Sequence, residues 1–285
     1  MTGRLFIFGL GYSGLEIAKL AKATGWQVGG TVTTGDKATA LRATGIDAEV
    51  FDGSVALTSD SLAAATHILC SIAPGTAGDP ALRTSADRLG HARWLGYLST
   101  TGVYGDRNGG WVDEEDTPRP TQARSIERLA TERAWQALGQ KSGTPVDIFR
   151  LPGIYGPGRS AVDQVKAGTA RRIDKPGQIF SRIHIQDIAG AVVAAMSKPR
   201  GRVYNVVDDL PASSAELIAF ACALLGKPVP PTIPWHEIEP TMSAMARSFY
   251  SENRRVRNDR LKRDLGVGLK YPTYREGLRA IAAAG

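Results

Sequence analysis

"IFGLGYSG", residues 7–14, decides how this chain is read. The apolar run RLFIFGL leads into Gly9, Gly11 and Gly14, which are spaced G-x-G-x-x-G. A short apolar run ended by glycine predicts a buried strand. "SGLEIAKLAKATG" then has helical spacing, with Leu15, Ala18 and Ala21 on one face and Gly25 at its close. In that setting Gly9 permits the tight turn after the strand. Gly11 lets the backbone approach a pyrophosphate, and Gly14 allows close helix–strand packing. A helix opening near Tyr12 and Ser13 would turn its free N–H groups and positive dipole end towards the phosphates. The spacing alone is a weak signal. Between a strand and a helix it predicts a dinucleotide site.

The pattern continues outward. "WQVGGTVT", "AEVFDG" and "THILCSIAP" read as strands, as does the end of "RLGHARWLGYLST" at Ser99. "DKATALRATG", with Asp36 as its N-cap, and part of "SVALTSDSLAAA" read as helices. Alternation of strand and helix over the first hundred residues predicts an α/β fold, a Rossmann-like doubly wound parallel sheet covered on both faces. "GDRNGGWVDEEDTPRPTQ" reads as a loop, and "SIERLATERAWQALGQKSG" as a long helix. "PVDIFRLPGIYGPG" and "RVYNVVDD" contain strands, "HIQDIAGAVVAAMSKP" and "SAELIAFACALLG" contain helices, and "PPTIPW" is extended.

The 285 residues suit one large α/β domain, or one with a small appendage. Apolar residues make up 42%, enough for a full core, and no run nears the roughly 18 residues of a membrane span. The start MTGRLFIFGLG lacks a small-residue cleavage site, so no signal peptide is expected. Cys70 and Cys222 are too few for a disulfide framework. Four histidines without ligand spacing argue against a metal site. The expectation is a cytoplasmic monomer or homodimer. The net charge of +7 is densest in "RRVRNDRLKRDLG", residues 254–266, whose basic residues would fall around much of a helix. A solvated helix is expected, with a phosphate or partner contact as the alternative. No nucleic-acid motif accompanies the charge, so neither nucleic acid nor membrane is expected as a partner.

NAD preference usually shows as an acidic residue closing the second strand. Here Thr33 and Thr34 stand there, with Lys37 close by. With no repelling carboxylate a 2′-phosphate is tolerated, so NADP is favoured slightly over NAD. Asp52, after the third strand, either meets the adenine amino group or closes a turn.

At "YLSTTGVYGD" a wider pattern emerges. With the glycine loop, "WVDEEDTPRP", "FRLPGIYGPG", "RIHIQDIAGAV" and "RLKRDLG…LKYPTYREGL", it resembles the extended short-chain dehydrogenase/reductase superfamily in its NAD-dependent epimerase/dehydratase branch. The resemblance spans nearly the whole chain. It implies a dinucleotide-binding domain over 1–155, with segments near 179–207 returning to it, and a small substrate-binding domain over most of 156–285. It places the nicotinamide near Ser71, Ile72, Ala73 and Pro74 and beside Thr100, with Leu151 and Pro152 as further cofactor contacts. The Thr100 hydroxyl would bind a substrate carbonyl or alcohol.

The family's proton donor is a Tyr-x-x-x-Lys pair, in which the cation stabilises the phenolate. Alignment on "ATERAW" puts Arg124 at the Tyr and Arg128 at the Lys, and no tyrosine occurs between Tyr104 and Tyr155. Arginine stays charged in proteins, so Arg124 is no ordinary base. The two arginines either grip a carboxylate or phosphate or are solvated. Thr101 and Gly102 replace the Asp-Glu that a sugar dehydratase needs. Tyr104, Tyr155 and His184 read as packing or structural groups, and Asp113, Glu114, Glu115 and Asp116 as a solvated loop. The expectation is an NAD(P)-binding oxidoreductase or epimerase acting on a small polar molecule, with an atypical catalytic set. The alternative is a protein that senses or binds NADP without turnover.

Overall fold

The computed structural model describes residues 3–284. It opens with β1 (Arg4–Phe8), α1 (Tyr12–Ala23), β2 (Gln27–Val32), α2 (Gly35–Ala43) and β3 (Asp47–Val50). Next come α3 (Asp60–Ala63), β4 (His67–Cys70), α4 (Pro80–Ser85), β5 (Trp94–Thr100), β6 (Trp111–Val112), the long α5 (Ala123–Ser142) and β7 (Val146–Leu151). Then follow β8 (Gly153–Tyr155), α6 (Ala161–Lys166), β9 (Arg172–Asp174), β10 (Arg182–His184), α7 (Ile185–Ser197) and β11 (Val203–Asn205). The chain finishes with α8 (Ser214–Leu224), β12 (Thr232–Pro234), α9 (Trp235–Ile238), α10 (Ala244–Tyr250), β13 (Arg255–Val256), α11 (Asp259–Leu265) and α12 (Tyr274–Ala283).

Seven strands form one sheet in the order β11-β7-β5-β4-β1-β2-β3, and every pairing is parallel. This is the Rossmann-like arrangement. Strand β1 shows why both faces are covered. Leu5 and Ile7 point to one side, Phe6 and Phe8 to the other, and all four are fully buried. On the first side α1 and α7 pack together through Ile17, Ala18, Ile188 and Val192. On the second, Trp135 of α5 joins Phe6, Phe8 and Tyr97. A further apolar cluster, with Val162, Leu217, Ile218 and Leu278, binds α6, α8 and α12 together. No described helix is long and apolar enough to cross a membrane.

Two local expectations are corrected. The cap of α2 is Thr34, not Asp36: Thr34 is extended and accepts the Lys37 N–H, while Asp36 already sits in the first turn. The Pro-rich "PPTIPW" is extended as expected and holds the short strand β12, paired with β9. Residues 254–266 are not one helix. Arg255 and Val256 form β13, paired with β6, and only α11 is helical. Several of the run's charges are paired, some with near neighbours and some with carboxylates from far along the chain. Arg254 pairs with Glu252 at 2.7 Å and Lys262 with Asp209 at 2.5 Å, while Arg260 pairs with both Glu114 and Glu115.

Candidate functional site

The order of strands reverses between β1 and β4, and a crevice opens at their carboxyl ends, where this fold places ligands. Gly9 leaves β1 at φ +92°, in the left-handed region, and its N–H donates to Thr31 Oγ1 at 2.9 Å. A Cβ on Gly14 would lie 2.1 Å from the Gly9 carbonyl oxygen, so Gly14 is the contact that lets α1 touch the strand. A Cβ on Gly11 would meet nothing within 4 Å. Gly11 caps α1 without any side-chain hydrogen bond, so the first N–H groups of the helix have no intrahelical partner. They open on a cavity of about 530 Å³ lined by Gly9, Gly11, Tyr12, Ser13, Thr31 and Thr33, with Lys37, Asp52, Ser71, Ile72 and Arg159. An open glycine cradle at a positive helix end fits a pyrophosphate.

The Asp52 carboxylate accepts from the Ser54 N–H at 2.8 Å and hydroxyl at 2.6 Å, bonds that hold it below the ordinary carboxylate range. It therefore closes a turn while also lining the cavity. Arg159 was not anticipated from sequence. Its guanidinium lies 5.7 Å from the Tyr12 ring centroid, and the Tyr12 hydroxyl donates to the Pro157 carbonyl at 3.2 Å.

Ser71 and Ile72 line this first cavity, whereas the next two residues, Ala73 and Pro74, line a second one of about 610 Å³. The two cavities thus adjoin at the end of β4. Thr100 lines the second, and its Oγ1 accepts the Gly102 N–H at 3.1 Å, which fixes the hydroxyl at the end of β5. Arg124 and Arg128, one helical turn apart on α5, both line it. Arg128 donates to the Tyr97 hydroxyl at 3.1 Å and the Leu98 carbonyl at 2.6 Å, while the Arg124 guanidinium lies 4.4 Å from the Phe249 ring centroid. Pro152 lines the cavity too. Leu151 does not: it packs into the core, because alternate residues of β7 face opposite ways.

A model of the NAD dependent epimerase/dehydratase family matches residues 80–207. Protein YeeZ of Escherichia coli K12 is 31% identical over 217 residues, covering 71% of this chain and 77% of that protein. The chain belongs to the NAD-dependent epimerase/dehydratase family. A conserved protein of unknown function from Silicibacter pomeroyi superposes with a TM-score of 0.90 at 45% identity, covering 99% of both chains. A 3-diazoavenalumate denitrifying reductase from a Streptomyces species is 27% identical over 171 residues, covering 57% of this chain and 55% of that protein.

Within this family member the tyrosines weighed from sequence lie away from the junction of the two cavities. Tyr104 is fully buried and donates to Asn205 Oδ1 at 2.8 Å; Tyr155 donates to the Thr273 carbonyl at 3.4 Å. Burial pushes both phenols up. The tyrosine in the second cavity is Tyr250 of α10, whose hydroxyl is 3.1 Å from Ser214 Oγ. No local pattern marked it. The loop of Asp113, Glu114, Glu115 and Asp116 is no cleft wall. Glu114 accepts the Asn205 N–H at 2.7 Å at the sheet edge, and Arg260 holds it there.

His184 is a structural histidine. Its Nδ1 accepts the Gln186 N–H at 3.2 Å, and its ring lies 4.1 Å from that of Tyr271. Burial, aided by Lys270, depresses its pKa from 6.5 to about 4. Between those values the unfolded chain binds a proton that the folded chain refuses, so stability falls as pH drops from 6.5 towards 4. Urea unfolding across that window is expected to show a shallower fall in His184→Gln than in the parent. Identical slopes would show that His184 does not titrate on unfolding.

Proposed function

We propose that this protein is an NAD(P)-dependent oxidoreductase or epimerase, with NADP favoured, acting on a small substrate with a polar reacting group. The observation that carries this reading is the junction at β4, where the glycine cradle adjoins a second cavity holding Thr100 and two arginines. The bound cofactor would supply hydride transfer from its nicotinamide. Gly9, Gly11, Tyr12 and Ser13 would hold the pyrophosphate, Asp52 the adenosine end, and Ser71 to Pro74 the nicotinamide end. Thr100 would orient the substrate carbonyl or alcohol beside it. The same reading makes residues 1–155, with 179–207, the dinucleotide-binding part and most of 156–285 the substrate-binding part.

The preference for NADP rests on Thr33 and Lys37, which line the first cavity where an acidic residue would repel a 2′-phosphate. Thermal-shift titration is expected to rank NADP above NAD. Thr33→Asp should reverse that order by placing a carboxylate at the 2′ position. No shift with either dinucleotide at millimolar concentration would overturn the whole reading.

Arg124 and Arg128 stand where the family resemblance places the Tyr and Lys of the proton-transfer pair. That favours a second reading, in which the protein binds NADP without turning anything over. Absorbance near 340 nm during a screen of carbonyl and alcohol substrates separates the two. Substrate-dependent change supports the enzyme, and a dinucleotide shift without turnover supports the binding protein.

A further inference from the structure

Four arginines, Arg124, Arg128, Arg182 and Arg254, line the second cavity, and Arg254 is paired there with Glu252 at 2.7 Å. Among the described residues no carboxylate comes within ion-pair range of Arg124, Arg128 or Arg182. Arg182 is the most constrained, because it is 9% exposed. Its Nη1 donates to the carbonyls of Phe180 at 2.9 Å and Ala212 at 2.7 Å. No acceptor is recorded for its other N–H groups among the described residues. Burial lowers its pKa to about 10. The nearby acid, Asp208, does not pair with it. Burial pushes Asp208 up to about 8, towards the neutral form, and its Oδ2 has no hydrogen-bond partner. A buried cation with spare donors and no paired anion is costly unless a ligand supplies the charge.

The rest of the wall is largely apolar. Ile179, Phe180, Met242, Phe249, Tyr250 and Val256 line it. The Arg124 guanidinium carbon lies 4.4 Å from the Phe249 ring centroid, a cation–π distance. Apolar walls with a few converging charged donors define an amphiphilic ligand of drug-like size.

We infer that the second cavity takes a small organic acid: an oxyanion, carboxylate or phosphonate, held by Arg182 with Arg124 and Arg128, on an apolar body seated against Phe180 and Phe249. This rests on the reading that the cavity receives the substrate, and it narrows the substrate class. The reacting carbonyl or alcohol would face Thr100.

The test is calorimetric titration of the full chain, alone and saturated with NADP. The probes are benzoate, cinnamate, 4-phenylbutanoate and phenylphosphonate, and the amides of the three carboxylates. At least one acid is expected to bind about tenfold or more tightly than its amide, the range of a charge-assisted hydrogen bond. Carboxylate against phosphonate shows which oxyanion fits. The preference should fall about tenfold in Arg182→Met and weaken in the Arg124→Met/Arg128→Met double variant. The double variant carries the test if Arg182→Met does not fold. Acids that bind no better than their amides, or not at all, overturn the inference. So does a preference unchanged in the variants, or a uridine diphosphate sugar, titrated alongside as a competitor class, that outbinds every acid. Failure of the dinucleotide reading shows separately, as no NADP-induced shift before any acid is added.

Discussion

Gly11→Val is expected to abolish the dinucleotide-induced rise in melting temperature while leaving the apoprotein nearly as stable as the parent. A Cβ at residue 11 meets nothing within 4 Å, and residue 11 lines the first cavity. On the proposed reading, valine there would take the space a pyrophosphate needs. The backbone there, φ −82° and ψ −160°, suits valine, so the cost is a weaker cap, at most about 1 kcal/mol. Gly14→Val should behave differently. Its Cβ would press to 2.1 Å from a backbone oxygen that cannot swing away, so the variant should unfold well below the parent temperature. Thermal melts with and without NADP separate the two. An unchanged ligand shift in Gly11→Val would mean that the cradle is not where the phosphates lie.

Glu132→Ala should be the most destabilising single side-chain truncation near the site, by about 3–5 kcal/mol in urea unfolding. Glu132 lies on α5, one turn beyond Arg128, and its carboxylate grips Arg150 of β7 at 2.8 and 3.1 Å. Both side chains are almost wholly buried. The same carboxylate accepts the Ser99 hydroxyl at 2.5 Å, just before Thr100. The Arg150 guanidinium also lies 4.8 Å from the Tyr104 ring centroid. Removing Glu132 strands a buried cation, which costs far more than losing one hydrogen bond. Replacing both charges, in Glu132→Ala/Arg150→Met, should recover much of the loss. A loss below about 1 kcal/mol in the single variant would show that Arg150 finds its counter-charge elsewhere.

The glycine loop was legible because its requirements are local. Gly9 must take a positive φ and Gly14 must touch a carbonyl, and few other residues can do either. The parallel sheet followed from alternating periodicities for the same reason. The cap of α2 was not decidable, since Thr34 and Asp36 are both competent caps two residues apart. The basic run 254–266 misled because it contains the short strand β13, and because the partners of Arg260 and Lys262 are remote. Glu114 and Glu115 precede Arg260 by about 145 positions, and no local pattern announces such pairs. Tyr250 and Arg182 escaped for a related reason. Tyr250 sits in a short segment without a motif, while Arg182 opens the "RIHIQDIAGAV" motif, which by itself does not say that the side chain faces a cavity; both reach the cavity through packing of distant elements. Arg124 and Arg128 were placed by their relation to a family motif, and both line the second cavity.

The two cavities draw on the chain in very unequal ways. Apart from Arg159, every residue lining the first lies at or before Pro80, while the wall of the second is complete only at Val256. Synthesis runs from the N-terminus, so the glycine cradle leaves the ribosome long before α10 and β13 exist. On the proposed reading, a cellular dinucleotide meets a nascent chain that already has most of its cradle and only part of the wall that will shape the substrate. By mass action it would favour the compact form at that stage. The cofactor would then also be a folding ligand, and cells short of it would yield less mature protein from the same message.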